Sequence, residues 1–109
     1  MGGEQDRYLN RLLEGYRKLP GTLGRILRDD RRTALNLYRQ RIGLDVVRRA
    51  FLLGTARRAF APHPAAQQPI RALRYFLPLI DEVVNQPPDP AYLIYLEHRL
   101  RRADLWPPT

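Results

Sequence analysis

The sequence predicts an all-α protein, a single compact domain of about five helices over residues 1–109 with a helix-turn-helix-like pair at its centre. Three observations predict it. Apolar residues recur every three or four positions along each apolar segment, and none alternates with the period of two that a half-buried strand requires. The breaks between these segments are short and carry the proline, glycine and aspartate that start and stop helices. At 109 residues without cysteine, the chain is long enough to bury one core without disulfide or thiolate-metal staples.

In chain order, Leu9, Leu12, Leu13, Tyr16 and Leu19 alternate with Arg7, Arg11, Glu14 and Lys18, which predicts an amphipathic helix over 6–19 with Asp6 as its cap. "LPGT" breaks it at Pro20 and Gly21, and Thr22 is placed to cap a short helical piece in "LGRIL". In "RDDRRTALNLYRQRIG", the aspartate pair marks a helix start, Ala34, Leu35, Leu37, Tyr38 and Ile42 form its apolar side, and Gly43 stands where a left-handed glycine ends a helix. Asp45 can cap the next helix, which runs through Arg58. A turn of about four residues between the two matches a helix-turn-helix unit over 30–58. "APHPAAQQP" is a loop, and "IRALRYFLPLIDEVVNQ" resumes the helical period, with Pro78 kinking it or dividing it into two short helices. Asp89 followed by Pro90 is a capped start for a last helix carrying Leu93, Leu96 and Leu100 on one face, so the C-terminal helices span 70–103.

The charge is +8, from eighteen arginines and one lysine, Lys18, against eleven acids, and the isoelectric point is near 10.8. Its distribution is uneven: residues 1–24 carry +1, residues 25–58 carry +7 and residues 59–109 carry 0. An excess concentrated in one third of the chain is the electrostatic footprint expected of a polyanion-binding surface, nucleic acid first. A GC-rich coding bias accounts for arginine in place of lysine but not for the excess over acids.

On a wheel of the third helix, Val46, Val47, Ala50, Phe51, Leu53, Gly54 and Phe60 share one half. Arg48, Leu52, Thr55 and Ala59 lie opposite, with Arg49 at the edge. Arg48 and Arg49 thus occupy the first turn of the second helix of the pair, where a recognition helix meets base edges, and Leu52 and Thr55 continue that outward face. Arginine there suits the paired acceptors of guanine. Phosphate contacts are expected from Arg28, Arg31 and Arg32 at the start of the preceding helix, Arg39 and Arg41 at its end, and Arg57 and Arg58 at the far end of the third. The last two fall on the apolar side by angle, so their stems must cross hydrophobic surface or the helix must fray there.

Other chemistry finds no pattern. Asp29 and Asp30 are adjacent, which suits helix capping better than paired catalysis, and Asp81 and Glu82 fit an outward helical surface. His63 and His98 are too far apart for a metal motif, and no phosphate-loop, nucleophile-elbow or dinucleotide fingerprint occurs. The chain reads as a non-enzyme without cofactor or metal. Tyr75, Phe76, Tyr92 and Tyr95 read as core, with base stacking on a single strand as the secondary option. No apolar run is long enough to span a bilayer, no secretory signal is present, and Asp6 stands where acylation of Gly2 would need Ser or Thr, so a cytoplasmic location is expected.

Three stretches, "YLNRLLEGYRKLPGT", "GLDVVRRAFLLGTARR" and "PIRALRYFLPLIDEVVNQPPDPAYLIYLEHRL", carry a Gly43-Leu44-Asp45-Val46-Val47 helix start and a Leu73-x-Tyr75-Phe76-Leu77-Pro78 segment. In these features the chain resembles small bacterial proteins encoded beside plasmid and transposable-element genes. The resemblance covers most of the chain and implies a mobile-element or replication setting. It transfers no functional residue.

The expectation is therefore a small DNA-binding protein, DNA before RNA, acting through residues 30–58. The competing expectation is an adaptor or assembly subunit whose basic face docks an acidic protein or a ribonucleoprotein, or a second copy of the chain, with Leu52, Trp106 and the tyrosines completing the interface.

Overall fold

The computed structural model describes residues 3–108, with Ala65 described in its backbone only, so that Gly2 lies outside the described residues. Five α-helices follow one another: α1 (Gly3–Arg17), α2 (Arg28–Arg39), α3 (Leu44–Ala59), α4 (Leu77–Asn85) and α5 (Pro90–Arg102). Two 3-10 turns, Pro64–Ala66 and Leu73–Phe76, lie between α3 and α4. The one extended pairing among the described residues is an isolated bridge between Thr22 and Ile70. The all-α, single-domain expectation holds.

The central element is α3. The stretch 50–56, "AFLLGTA", contains no charge, and a helix apolar on all sides belongs inside. Phe51, Leu52, Leu53, Gly54, Thr55 and Ala56 are all buried, with α4, α5, α1 and the second 3-10 turn packed around them. Gly54 is what lets α4 come close: a Cβ there would stand 2.6 Å from Cε1 of Phe76 and 2.9 Å from Cδ1 of Leu79. Phe76 is wholly buried and meets Phe51 and Tyr16 edge-on, with ring centroids 5.0 and 6.3 Å apart. The last helix docks as its stripe predicts, with Leu96 and Leu100 buried and Leu93 packed beside them. Asp89 caps it, Oδ1 accepting from the amide of Ala91 at 2.8 Å.

Several boundaries differ from expectation for local reasons. Asp6 sits inside the first turn of α1 rather than capping it. "LGRIL" forms no helix; the Thr22 hydroxyl instead reaches the carbonyl of Arg17 that ends α1, at 3.1 Å, and that of Leu19 just beyond it, at 3.0 Å. Asp45 does not cap α3, whose cap is Gly43; it lies in the first turn, 3.6 Å from Arg49. The segment from 70 divides, as the second of the two alternatives for Pro78 had it, into the 3-10 turn and α4, with Pro78 in the first turn where its missing amide costs nothing.

The end of α2 is the least expected. Arg41, not Gly43, takes the left-handed position, at φ 60°. Its amide bonds Tyr38 O at 2.9 Å and that of Ile42 bonds Leu37 O at 3.1 Å, the paired hydrogen bonds of a left-handed cap. Glycine is the usual occupant, and a side chain there costs about 1–2 kcal/mol.

The central pair is not seen as a helix-turn-helix. A short turn does join α2 to α3, but α2 packs on α1 and the second 3-10 turn while α3 packs mainly on α4 and α5. A recognition helix needs one face free along its length, and α3 is buried on every side from Ala50 to Ala56.

Candidate nucleic-acid interface

The eleven residues expected to contact nucleic acid separate into three groups. Leu52 and Thr55 are corrected outright: both are buried, because α5 lies along the face of α3 that the wheel assigned to solvent. Neither can reach a ligand. Trp106 is buried as well, 6% exposed, so it finishes the core rather than an interface.

Of the arginines of α3, Arg48, Arg49 and Arg57 are exposed and Arg58 is half-buried, and each meets a partner within the chain. Arg48 donates to Glu97 Oε1 of α5 at 3.1 Å, with its guanidinium 5.7 Å from the Trp106 ring centre. Arg49 faces Asp45. Arg57 grips the carboxylate of Glu82 on α4 with two bonds, the longer at 2.8 Å, and this contact raises the arginine above its ordinary pKa and lowers the glutamate. Arg58 donates to Gln68 O at 2.8 Å and lies against Tyr75. Glu97 also accepts from Arg101, and the Arg101 and Arg48 contacts together hold it below the usual carboxylate range.

The arginines of α2 are different. Arg28, Arg31, Arg32, Arg39 and, just beyond its end, Arg41 are all exposed, and none forms an ion pair among the described residues. At about 100° per residue, Arg28, Arg32 and Arg39 fall within an arc of about 40°, opposite the buried Asp30, Ala34 and Leu37, with Arg31 on one flank. The row spans about 16 Å of helix, with about 6 Å between Arg28 and Arg32, so that each guanidinium can meet its own phosphate. Asp30 fixes the start of this row. Its Oδ2 accepts from the amide of Leu27 at 2.8 Å and its Oδ1 from the amide of Leu73 at 2.9 Å. Arg71 and Arg74, exposed and without ion pairs among the described residues, are carried on the segment that Asp30 holds.

At the other end of α2, a hollow of about 560 Å³ opens between the helix end and α1, lined by Glu4, Tyr8, Tyr38, Arg39, Arg41 and Gly43 with Ile42. Tyr8 donates to Ile42 O at 2.6 Å and meets Tyr38 edge-on at 5.2 Å, and burial pushes its phenol up to about 12. A second hollow shares Glu4 and Tyr8 and is lined by Arg7 and Arg11. Sequence reasoning missed these two because they belong to a segment of small net charge; their place on the polar side of an amphipathic helix was the available signal.

Exposed apolar surface gathers elsewhere, on α5. Tyr92 and Tyr95 stack with centroids 6.3 Å apart, and Ile94 is 60% exposed. Arg99 covers Phe60 at 3.9 Å. Of the four aromatics read as core, Phe76 alone is buried; Tyr75, Tyr92 and Tyr95 face solvent. Among the described residues no three His, Asp or Glu side chains converge as metal ligands, and no helix is long and apolar enough to cross a membrane. Compared with family models, with curated proteins and with solved structures, the chain matches none.

Proposed function

We propose that this protein is a small non-enzymatic DNA-binding protein that holds the phosphate backbone with the arginine row of α2, in the mobile-element or replication setting that its resemblance implies. The observation that carries the reading is the contrast within the basic third of the chain: each α3 arginine meets a carboxylate or, for Arg58, a backbone carbonyl, whereas Arg28, Arg31, Arg32, Arg39 and Arg41 form no ion pair among the described residues. Five unpaired guanidinium groups along one helix and just past its end attract a polyanion, and contacts of this kind position rather than read sequence. Base reading by Arg48 and Arg49 has lost its support, since both are tied to carboxylates and the helix behind them is covered. The binding is therefore expected to discriminate weakly between sequences.

A second reading rests on α5. The stacked Tyr92 and Tyr95 beside the exposed Ile94 are the aromatic and aliphatic anchors of a protein interface, and a partner protein or a second copy would cover them. The salt dependence of binding to a labelled duplex separates the two. If four α2 arginines each neutralise one phosphate, log affinity falls against log salt with a slope near −3.6, about a hundredfold between 50 and 200 mM. Arg28→Ala and Arg32→Ala each flatten the slope by about one and weaken all sequences alike. Arg57→Ala and Arg101→Ala, whose guanidiniums are held by Glu82 and Glu97, change it little. Equal losses from both pairs would overturn the α2 assignment, and no binding at low salt would leave the α5 interface as the function.

A further inference from the structure

We infer that the hollow at the C-terminal end of α2 takes one unpaired nucleotide, with Arg41 as its main contact, so that the protein prefers single-stranded or locally opened nucleic acid to duplex. The inference rests on the proposed nucleic-acid function and adds the site that tells the two forms apart. Arg41 occupies a backbone position at φ 60° that favours glycine, and the cap needs nothing from its side chain. Strain of this sort is held by the surrounding structure, here the paired hydrogen bonds of the cap, and it clusters at ligand clamps. The guanidinium opens onto a hollow of about 560 Å³, inside the range of small-molecule sites, and Arg39 from the last turn of α2 lines the same space.

The lining is chemically mixed in a way that suits a nucleotide. Two arginines without ion pairs among the described residues match a phosphate diester, and the fork of each can take two oxygens. Tyr38 is half-buried and supplies an aromatic surface for a base. Tyr8, its hydroxyl spent on Ile42 O, holds that wall in place. Glu4 on the rim is an acceptor for a base amino group, which a bare phosphate lacks. A base within a duplex is stacked and cannot enter such a hollow, whereas an unpaired one can. Arg39 joins the hollow to the row formed by Arg28 and Arg32, so a strand running along α2 reaches it without leaving the basic surface.

The test compares a fluorescein-labelled single strand with the same sequence as duplex, measured by anisotropy for the wild-type chain, Arg41→Gly, Arg41→Lys and Arg28→Ala. Wild type is expected to bind the single strand more tightly. Arg41→Gly relieves the backbone, so its Tm stays level or rises, yet its single-strand affinity falls by about tenfold or more while duplex binding falls no further than it does in Arg28→Ala. Arg41→Lys keeps the charge and loses the two-bond fork, and recovers only part of the affinity. Arg28→Ala weakens both forms equally. If Arg41→Gly loses no more affinity for the single strand than for the duplex, as Arg28→Ala does, the hollow is not a nucleotide site and the backbone-binding function stands. If the wild-type chain binds neither form, the function fails and the nucleotide site with it.

Discussion

Replacing Asp30 by asparagine tests the contact that carries the arginine row. The carboxylate is 1% exposed and accepts two backbone amides, from Leu27 one turn back at 2.8 Å and from Leu73 across 43 positions at 2.9 Å. It is at once the side chain that accepts the N-cap amide of α2 and the tie between α2 and the turn leading into α4. Asparagine has the same shape but offers one oxygen and an NH2 group, so one amide must face another donor. Losing one hydrogen bond to a charged acceptor costs roughly 1.5–3 kcal/mol, and a buried donor without a partner adds about 1–3 kcal/mol. Relief from burying a carboxylate returns part of this. The net loss is expected to be about 2–3 kcal/mol, a fall in Tm of about 10 °C or more for a domain of this size. Asp30→Ala strands both amides and leaves a void, so about 3–5 kcal/mol is expected. Asp29→Asn, exposed beside it, should stay within about 0.5 kcal/mol of wild type. Urea and thermal melts followed by circular dichroism decide the matter. An Asp30→Asn variant that melts with the wild type would refute the bridging role.

Two further outcomes follow from the core. Gly54→Ala gains about 1 kcal/mol in helix propensity but drives a methyl group to 2.6 Å from the immobile Phe76 ring, an overpacking cost of about 1–3 kcal/mol, so a net loss is expected; a rise in melting temperature would show that α3 and α4 approach less closely. The phenols of Tyr8 and Tyr16 are pushed up to about 12 by burial, so the fold retains two protons that the unfolded chain releases near 10. Their contribution to stability is complete below pH 10 and is lost as the pH rises from 10 towards about 12. Absorbance titration should show these two among the six tyrosines ionising late, together with unfolding, and all six ionising near pH 10 in a still-helical chain would contradict the burial.

What was legible in the sequence is what short-range chemistry determines. The Asp89 and Pro90 start of α5 and its Leu93, Leu96, Leu100 stripe need only local spacing, and both stand where the residues imply. The side of α3 could not be read from a wheel because that helix is enclosed. Leu52 and Thr55 look outward only while Val46 and Phe51 are assumed to define the sole apolar face, and the uncharged run 50–56 was the sign that no such face exists. The end of α2 was misread for a different reason. Gly43 satisfies the rule for a left-handed cap, but the chain reverses two residues earlier and accepts the strain at Arg41. Nor does local spacing indicate that Glu82 meets Arg57 or that Glu97 meets Arg48, pairs 25 and 49 positions apart.

Those two ion pairs change what the segment charge of +7 means. A sum along the chain assigns Arg48 and Arg57 to the basic third and Glu82 and Glu97 to the neutral third, yet in space each carboxylate sits on an arginine of α3. The central helix is neutralised because it is central: α4 and α5 pack over it and bring their glutamates with them. The helix α2 lies against α1 and the 3-10 turn Leu73–Phe76, not against α4 or α5, so neither of those glutamates reaches its arginines. Its first turn also holds Arg28 and Arg31 at the end of the helix where a positive charge opposes the dipole, a cost of about 0.3–1 kcal/mol each that Asp29 and Asp30 offset. An anion bound along this row would relieve both the mutual repulsion of the arginines and their conflict with the dipole, which is why the unpaired charge of α2, and not the larger number of arginines in the chain, bears the functional argument.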